Sequence, residues 1–129
     1  MARGERIRVL VCDDVEGWRA LLRFTLAEDP DIEVVGEAAD GEEGVRAAED
    51  LQPDVVLLDM QMPRMDGLSA IPRMRRRAPR TTIIGLSSHS AERMRGPSIA
   101  VGAHDYVEKT ADLEDIRAAI RQAVDNRRE

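Results

Sequence analysis

The run Asp54-Val55-Val56-Leu57-Leu58-Asp59 places four apolar residues directly before a carboxylate. Two similar runs occur in the chain: Ile7–Cys12, which stops on Asp13-Asp14, and Thr82–Leu86, which stops on Ser87. Their apolarity is continuous rather than alternating, and they are rich in β-branched side chains. That pattern predicts strands covered on both faces, as in a parallel sheet between helices. Residues 33–37 and about 104–108 are weaker strand candidates.

Helix-length stretches fill the intervals. Within 16–28, Trp18, Leu21, Leu22, Thr25 and Leu26 share one face, with Arg19, Arg23 and Glu28 elsewhere. Residues 41–51 carry Val45, Ala48 and Leu51 at helical spacing and stop before Pro53. Residues 68–77 carry Ile71 and Met74, with Ala78 following, and end in Arg73, Arg75, Arg76 and Arg77. Asp112 suits the cap of a last helix over 112–126, which shows Leu113, Ile116, Ala119, Ile120 and Ala123. Strand and helix alternate about five times, the pattern of an α/β fold.

The 129 residues suffice for one domain with one sizeable core, expected over about 7–126. A 43% hydrophobic and 34% charged composition suits a soluble globular chain rather than a disordered one. Aromatics are only 2% (Trp18, Phe24, Tyr106), so aliphatic residues and Met must fill the core. A net charge of −6 repels nucleic acid overall, so direct nucleic-acid binding is not expected. One cysteine, Cys12, excludes an internal disulfide and suits a reducing cytoplasm. No apolar run approaches the roughly 18 residues of a membrane span, and the charged N-terminus does not resemble a signal peptide.

Parallel sheets place ligands beyond the carboxyl ends of their strands. Asp13, Asp14, Asp59, Ser87 and Lys109 all stand where a predicted strand ends, so they should meet at one sheet edge. Three carboxylates together repel, and a hard divalent cation such as Mg²⁺ relieves them. A carboxylate is also a nucleophile toward phosphorus, and phosphoryl transfer needs mainly positioning and charge neutralisation. Taken singly, each residue has a structural alternative: a helix cap for Asp13-Asp14, a turn for Asp59, a backbone-bonded hydroxyl for Ser87, a solvated charge for Lys109. Their joint placement favours chemistry.

The chain resembles the receiver domains of two-component response regulators over nearly its whole length. The resemblance starts at Arg8-Val-Leu-Val-Cys-Asp13-Asp14 and is densest at Asp54-Val-Val-Leu-Leu-Asp59-Met-Gln-Met-Pro63-Arg-Met-Asp66-Gly67. It continues in Ser87-Ser88 and in Gly102-Ala-His-Asp-Tyr106-Val-Glu-Lys109. It implies a flavodoxin-like, doubly wound, five-stranded parallel sheet flanked by five helices. It implies that Asp59 is the phosphoacceptor, that Asp14 and Asp13 hold Mg²⁺ with Asp59, and that the Gln61 backbone carbonyl is a further metal ligand. Ser87 and Lys109 would contact phosphoryl oxygens, and Tyr106 would follow Ser87 as a switch. The implied donor is a sensor histidine kinase or histidine phosphotransfer protein. The downstream protein target is unknown, and a homodimer could form on phosphorylation. The protein would be cytoplasmic and no enzyme, apart from Mg²⁺-dependent self-phosphorylation and dephosphorylation.

The sequence departs from the family pattern in places. Thr110 follows Lys109 where many receivers have a cis proline, so a trans bond is the default. Gly96-Pro97 falls in the expected fourth helix, which predicts a long loop from Ser87 to about Gly96 and a short or irregular helix starting near Pro97. Pro72, early in the third helix, is a candidate kink. Gln61 and His89 flank the phosphate position, with His89 read as a solvated imidazole rather than a metal ligand. The arginines of 73–80 are read as a solvated helix end favoured by the macrodipole, with a docking patch as the alternative.

Two other functional readings compete. One is a receiver-like interaction module that is never phosphorylated, against which the full residue set argues. The other is an aspartyl-phosphate phosphatase, which wants a second Asp two residues after the first, where this chain has Gln61.

Overall fold

The structure is a computed structural model that describes residues 5–88, 91–109 and 112–128. In chain order it comprises β1 (Ile7–Cys12), α1 (Glu16–Ala27), β2 (Ile32–Ala38), α2 (Gly41–Leu51) and β3 (Val55–Asp59). These are followed by α3 (Gly67–Arg77), β4 (Thr82–Ser87), α4 (Ala91–Ala100), β5 (Asp105–Glu108) and α5 (Leu113–Arg128). All five strands are parallel, in the order β2-β1-β3-β4-β5. This is the doubly wound, flavodoxin-like arrangement expected from the sequence.

Continuous apolarity in the strands reflects two cores, one on each sheet face. Leu10, Cys12, Val56, Leu58 and Ile83 join Val45 and Ala48 of α2 and Ala70, Ile71 and Met74 of α3. Their strand neighbours Val9, Val11, Val55, Leu57 and Ile84 pack with Leu22 and Leu26 of α1 and Ile116 and Ile120 of α5. Alternate residues of one strand thus feed opposite cores, as the pleat requires. Leu21, expected on the inner face of α1, is instead 45% exposed.

Order reverses between β1 and β3, because β1 connects outward to β2 while β3 leads on to β4 and β5. The pairing of Cys12 with Leu58 then sets the next residues, Asp13 and Asp59, side by side at the carboxyl end. That is the crevice where doubly wound sheets take their ligands.

The fourth helix corrects the sequence expectation. It spans ten residues from Ala91, with Pro97 inside it rather than at its start. Proline removes one N–H and crowds the preceding turn, leaving the Arg93 carbonyl without its i+4 donor. Packing outweighs that cost. Met94 and Val101 pack against the first core, and fully buried Ser98 lies between them in sequence. Residues 94, 98 and 101 keep helical spacing, but a serine in the stripe hides it from a reading of apolar periodicity. Ser98 Oγ donates to the Met94 carbonyl at 2.6 Å, and Val101 N–H reaches the Pro97 carbonyl at 3.2 Å. Pro72 likewise sits within α3, whose helical span continues on both sides of it. His89, Thr110 and the Lys109–Thr110 peptide bond lie outside the described residues.

Replacing exposed Pro97 with Ala should raise stability by about 1–3 kcal/mol in urea unfolding, because the proline interrupts an existing helix. If the helix instead began at Pro97, the substitution would be neutral or destabilising.

Candidate functional site

Each side chain at the carboxyl edge is positioned by its strand and by the turn that leaves it. Asp13 follows β1, and its backbone N–H bonds the Ala38 carbonyl of β2 at 2.9 Å. Its Oδ1 accepts the Val15 N–H at 2.8 Å, which shapes the turn into α1. Asp59 closes β3, and its Oδ1 accepts the Gln61 N–H at 3.0 Å. Asp14, by contrast, is exposed. One carboxylate oxygen from each of Asp13, Asp14 and Asp59 lies within 4.8 Å of the others.

Lys109 reaches this group from the end of β5. Its backbone N–H bonds the Ser87 carbonyl at 2.8 Å, extending the pairing between β4 and β5 by one residue. Its Nζ stands 2.5 Å from Asp13 Oδ2 and 3.5 Å from Asp59 Oδ2. Ser87 is fully buried at the end of β4, the strand between β3 and β5. Tyr106 is buried in the first core, and the Arg95 guanidinium lies 5.9 Å from its ring centroid. Arg95 also donates to the Tyr106 carbonyl at 2.9 Å, tying α4 to β5.

Burial pushes the Asp59 carboxyl up to about 6. The Asp13 charge pushes the same way, while the Gln61 N–H and the Lys109 ammonium oppose it. One ammonium therefore serves two buried carboxylates. Among the described residues Asp13 Oδ2 finds no well-formed hydrogen-bond donor, despite its ion pair with Lys109. A clustered, acceptor-rich and partly uncompensated oxygen set suits a hard divalent cation such as Mg²⁺.

The loop from Met60 to Asp66 is fixed by residues outside that cluster. Met60 N–H bonds the Leu86 carbonyl at 2.9 Å. Asp66 caps α3 by accepting the Ser69 N–H at 2.9 Å. A Cβ on Gly67 would come within 2.7 Å of Met60 Cα, so only glycine lets α3 start so close to the loop. Asp40, which the sequence reading passed over, caps α2 through the Glu43 N–H at 2.8 Å and pairs with Arg64 at 3.0 Å. The Glu43 N–H bond, together with Arg64, holds its carboxyl below the usual range even though burial opposes them. The signal was present: Asp40 followed three residues later by Glu43 is a helix-start signature. Trp18 was also missed as a neighbour of Lys109, because helical spacing assigned it only to the core.

A family model described as the response regulator receiver domain matches residues 9–121. The chain belongs to the receiver domain family. The receiver is 45% identical over 117 residues to the transcriptional regulatory protein LiaR of Bacillus subtilis, covering 91% of this chain and 56% of LiaR. It is 42% identical over 114 residues to a protein-glutamate methylesterase/protein-glutamine glutaminase of Methanospirillum hungatei, covering 86% of this chain and 33% of that protein. Among solved structures, the response regulator domain of Thermotoga maritima CheB superposes with a TM-score of 0.86 at 32% identity, covering 94% of this chain and 98% of that one. The receiver thus spans about half of LiaR and a third of the methylesterase.

The expectation of a protein that is no enzyme is overturned in that form. Several relatives bear the name of an enzyme, the methylesterase/glutaminase, and the receiver matches about a third of each. Among the described residues no helix is long and apolar enough to cross a membrane.

A folded carboxyl raised to about 6 gives stability that is complete below the ordinary carboxylate value and lost as pH rises through about 6. Asp59→Asn should therefore stabilise the metal-free protein by about 1–2 kcal/mol at pH 7.5 and by about half as much at pH 5. Urea unfolding at the two values checks this. A substitution that destabilises equally at both would contradict it.

Proposed function

We propose that Asp59 is the residue through which this receiver acts as a phosphorylation-dependent switch. The observation that carries the reading is the buried pair Asp13 and Asp59 sharing the Lys109 ammonium, with Asp14 beside them. An Asp59 oxygen attacks the phosphorus of a phosphohistidine on a sensor kinase or phosphotransfer protein. The P–O bond forms as the P–N bond breaks, and the imidazole leaves with the electron pair and takes a proton from water. Asp13, Asp14, Asp59 and the Gln61 carbonyl would hold Mg²⁺. That ion, when bound, supplies positive charge against the carboxylates and the phosphoryl oxygens.

In this reading Lys109 shifts from Asp13 toward a phosphoryl oxygen on Asp59, and the Ser87 hydroxyl donates to another. The added charge and acceptors then bias the neighbouring surface. Tyr106 and Arg95 are the groups that carry the change, since Arg95 already links α4 to the Tyr106 carbonyl. Placement in the cytoplasm, one receiver domain over residues 1–129, a separate protein target and dimerisation on phosphorylation belong to the same proposal. No feature of the site favours a receiver-like module that works without phosphate.

Incubation with Mg²⁺ and acetyl phosphate should add the mass of one phosphoryl group to the native protein and none to Asp59→Ala. Equal labelling of the two, or none of the native protein, would reject the assignment.

A further inference from the structure

Lys109 has a flexible four-carbon stem and two carboxylates to choose between, so something must define where its ammonium rests. The Trp18 ring supplies a third attraction, with Lys109 Nζ 5.4 Å from the ring centroid. Tryptophan offers the strongest aromatic face to a cation, and this distance is within the range of the interaction. Trp18 packs against the second core on the inner side of α1. Its indole Nε1 is buried and has no hydrogen-bond partner among the described residues, so packing and the ammonium, not a polar anchor, position the ring. It is also the only tryptophan in the chain.

We propose that Trp18 is a positioning residue for Lys109, and that its emission reports where that ammonium stands. The proposal rests on Asp59 being the phosphoacceptor for its consequence in phosphoryl transfer, though not for the contact itself. An indole face attracts the ammonium without preferring either carboxylate. It therefore keeps Lys109 within the site as the charge moves from Asp13 toward a phosphoryl oxygen. It also covers one side of the ammonium against water, which strengthens the charge offered to the transition state.

The test uses the full chain in two measurements. In donor-free protein, Trp18 emission should differ between native and Lys109→Met; identical spectra would overturn the proposal. With Mg²⁺ and acetyl phosphate, Trp18→Leu should slow labelling about two- to thirtyfold through kcat. In a Lys109→Met background the same change should have less than about a twofold effect, as expected for coupled residues. Trp18→Phe, which keeps an aromatic face, should be intermediate and carries the cycle if Trp18→Leu does not fold. Equal slowing in both backgrounds would mean a structural role and would overturn the proposal. Failure of the native protein to label at all would reject the phosphoacceptor reading, leaving the emission comparison to decide the contact.

Discussion

Two carboxylates that repel one another are held side by side, and most of the structure around them follows from that constraint. Neighbouring strands are about 4.8 Å apart, so pairing Cys12 with Leu58 forces Asp13 and Asp59 together. Both are buried, at 1% and 4% exposure, and burial alone disfavours their charges. Lys109 offsets part of the cost from beyond β5. What remains uncompensated is negative charge, which a hard divalent cation would offset.

The surrounding loops keep that arrangement from relaxing. The Asp59 carboxylate cannot swing freely while the Gln61 N–H bonds its Oδ1. The loop beyond it is held at one end by the Leu86 carbonyl and at the other by the Asp66 cap and Gly67. Asp40 adds a tie from α2 through Arg64, whose backbone has a positive φ of 66°. The Asp-Gly pair in the densest motif is therefore a loop closure as well as a family marker. A side chain at position 67 would displace the backbone next to the phosphoacceptor candidate.

Much of this was legible in the sequence because the relevant signals are local. Val55–Leu58 followed by Asp59 states both a buried strand and a polar residue at its exit. The same holds for Ile7–Cys12 and Asp13-Asp14, and the strand order brings them together. The fourth helix was misread because proline is a strong local signal, while the stripe of Met94, Ser98 and Val101 that overrides it is tertiary. Trp18 shows the opposite failing: its spacing correctly placed it on the inner face, yet only the fold shows that this face ends beneath Lys109. Asp40 was readable from its capping signature, but its link to Arg64 spans 24 positions of chain and has no local trace.

The proposed switch depends on an acyl phosphate at one residue. Reductive trapping of the phosphorylated protein with borohydride converts an aspartyl phosphate to homoserine, which peptide sequencing locates. Homoserine is expected at position 59 and nowhere else. Homoserine at position 13 or 14, or at no position in a protein that has gained a phosphoryl group, would contradict it.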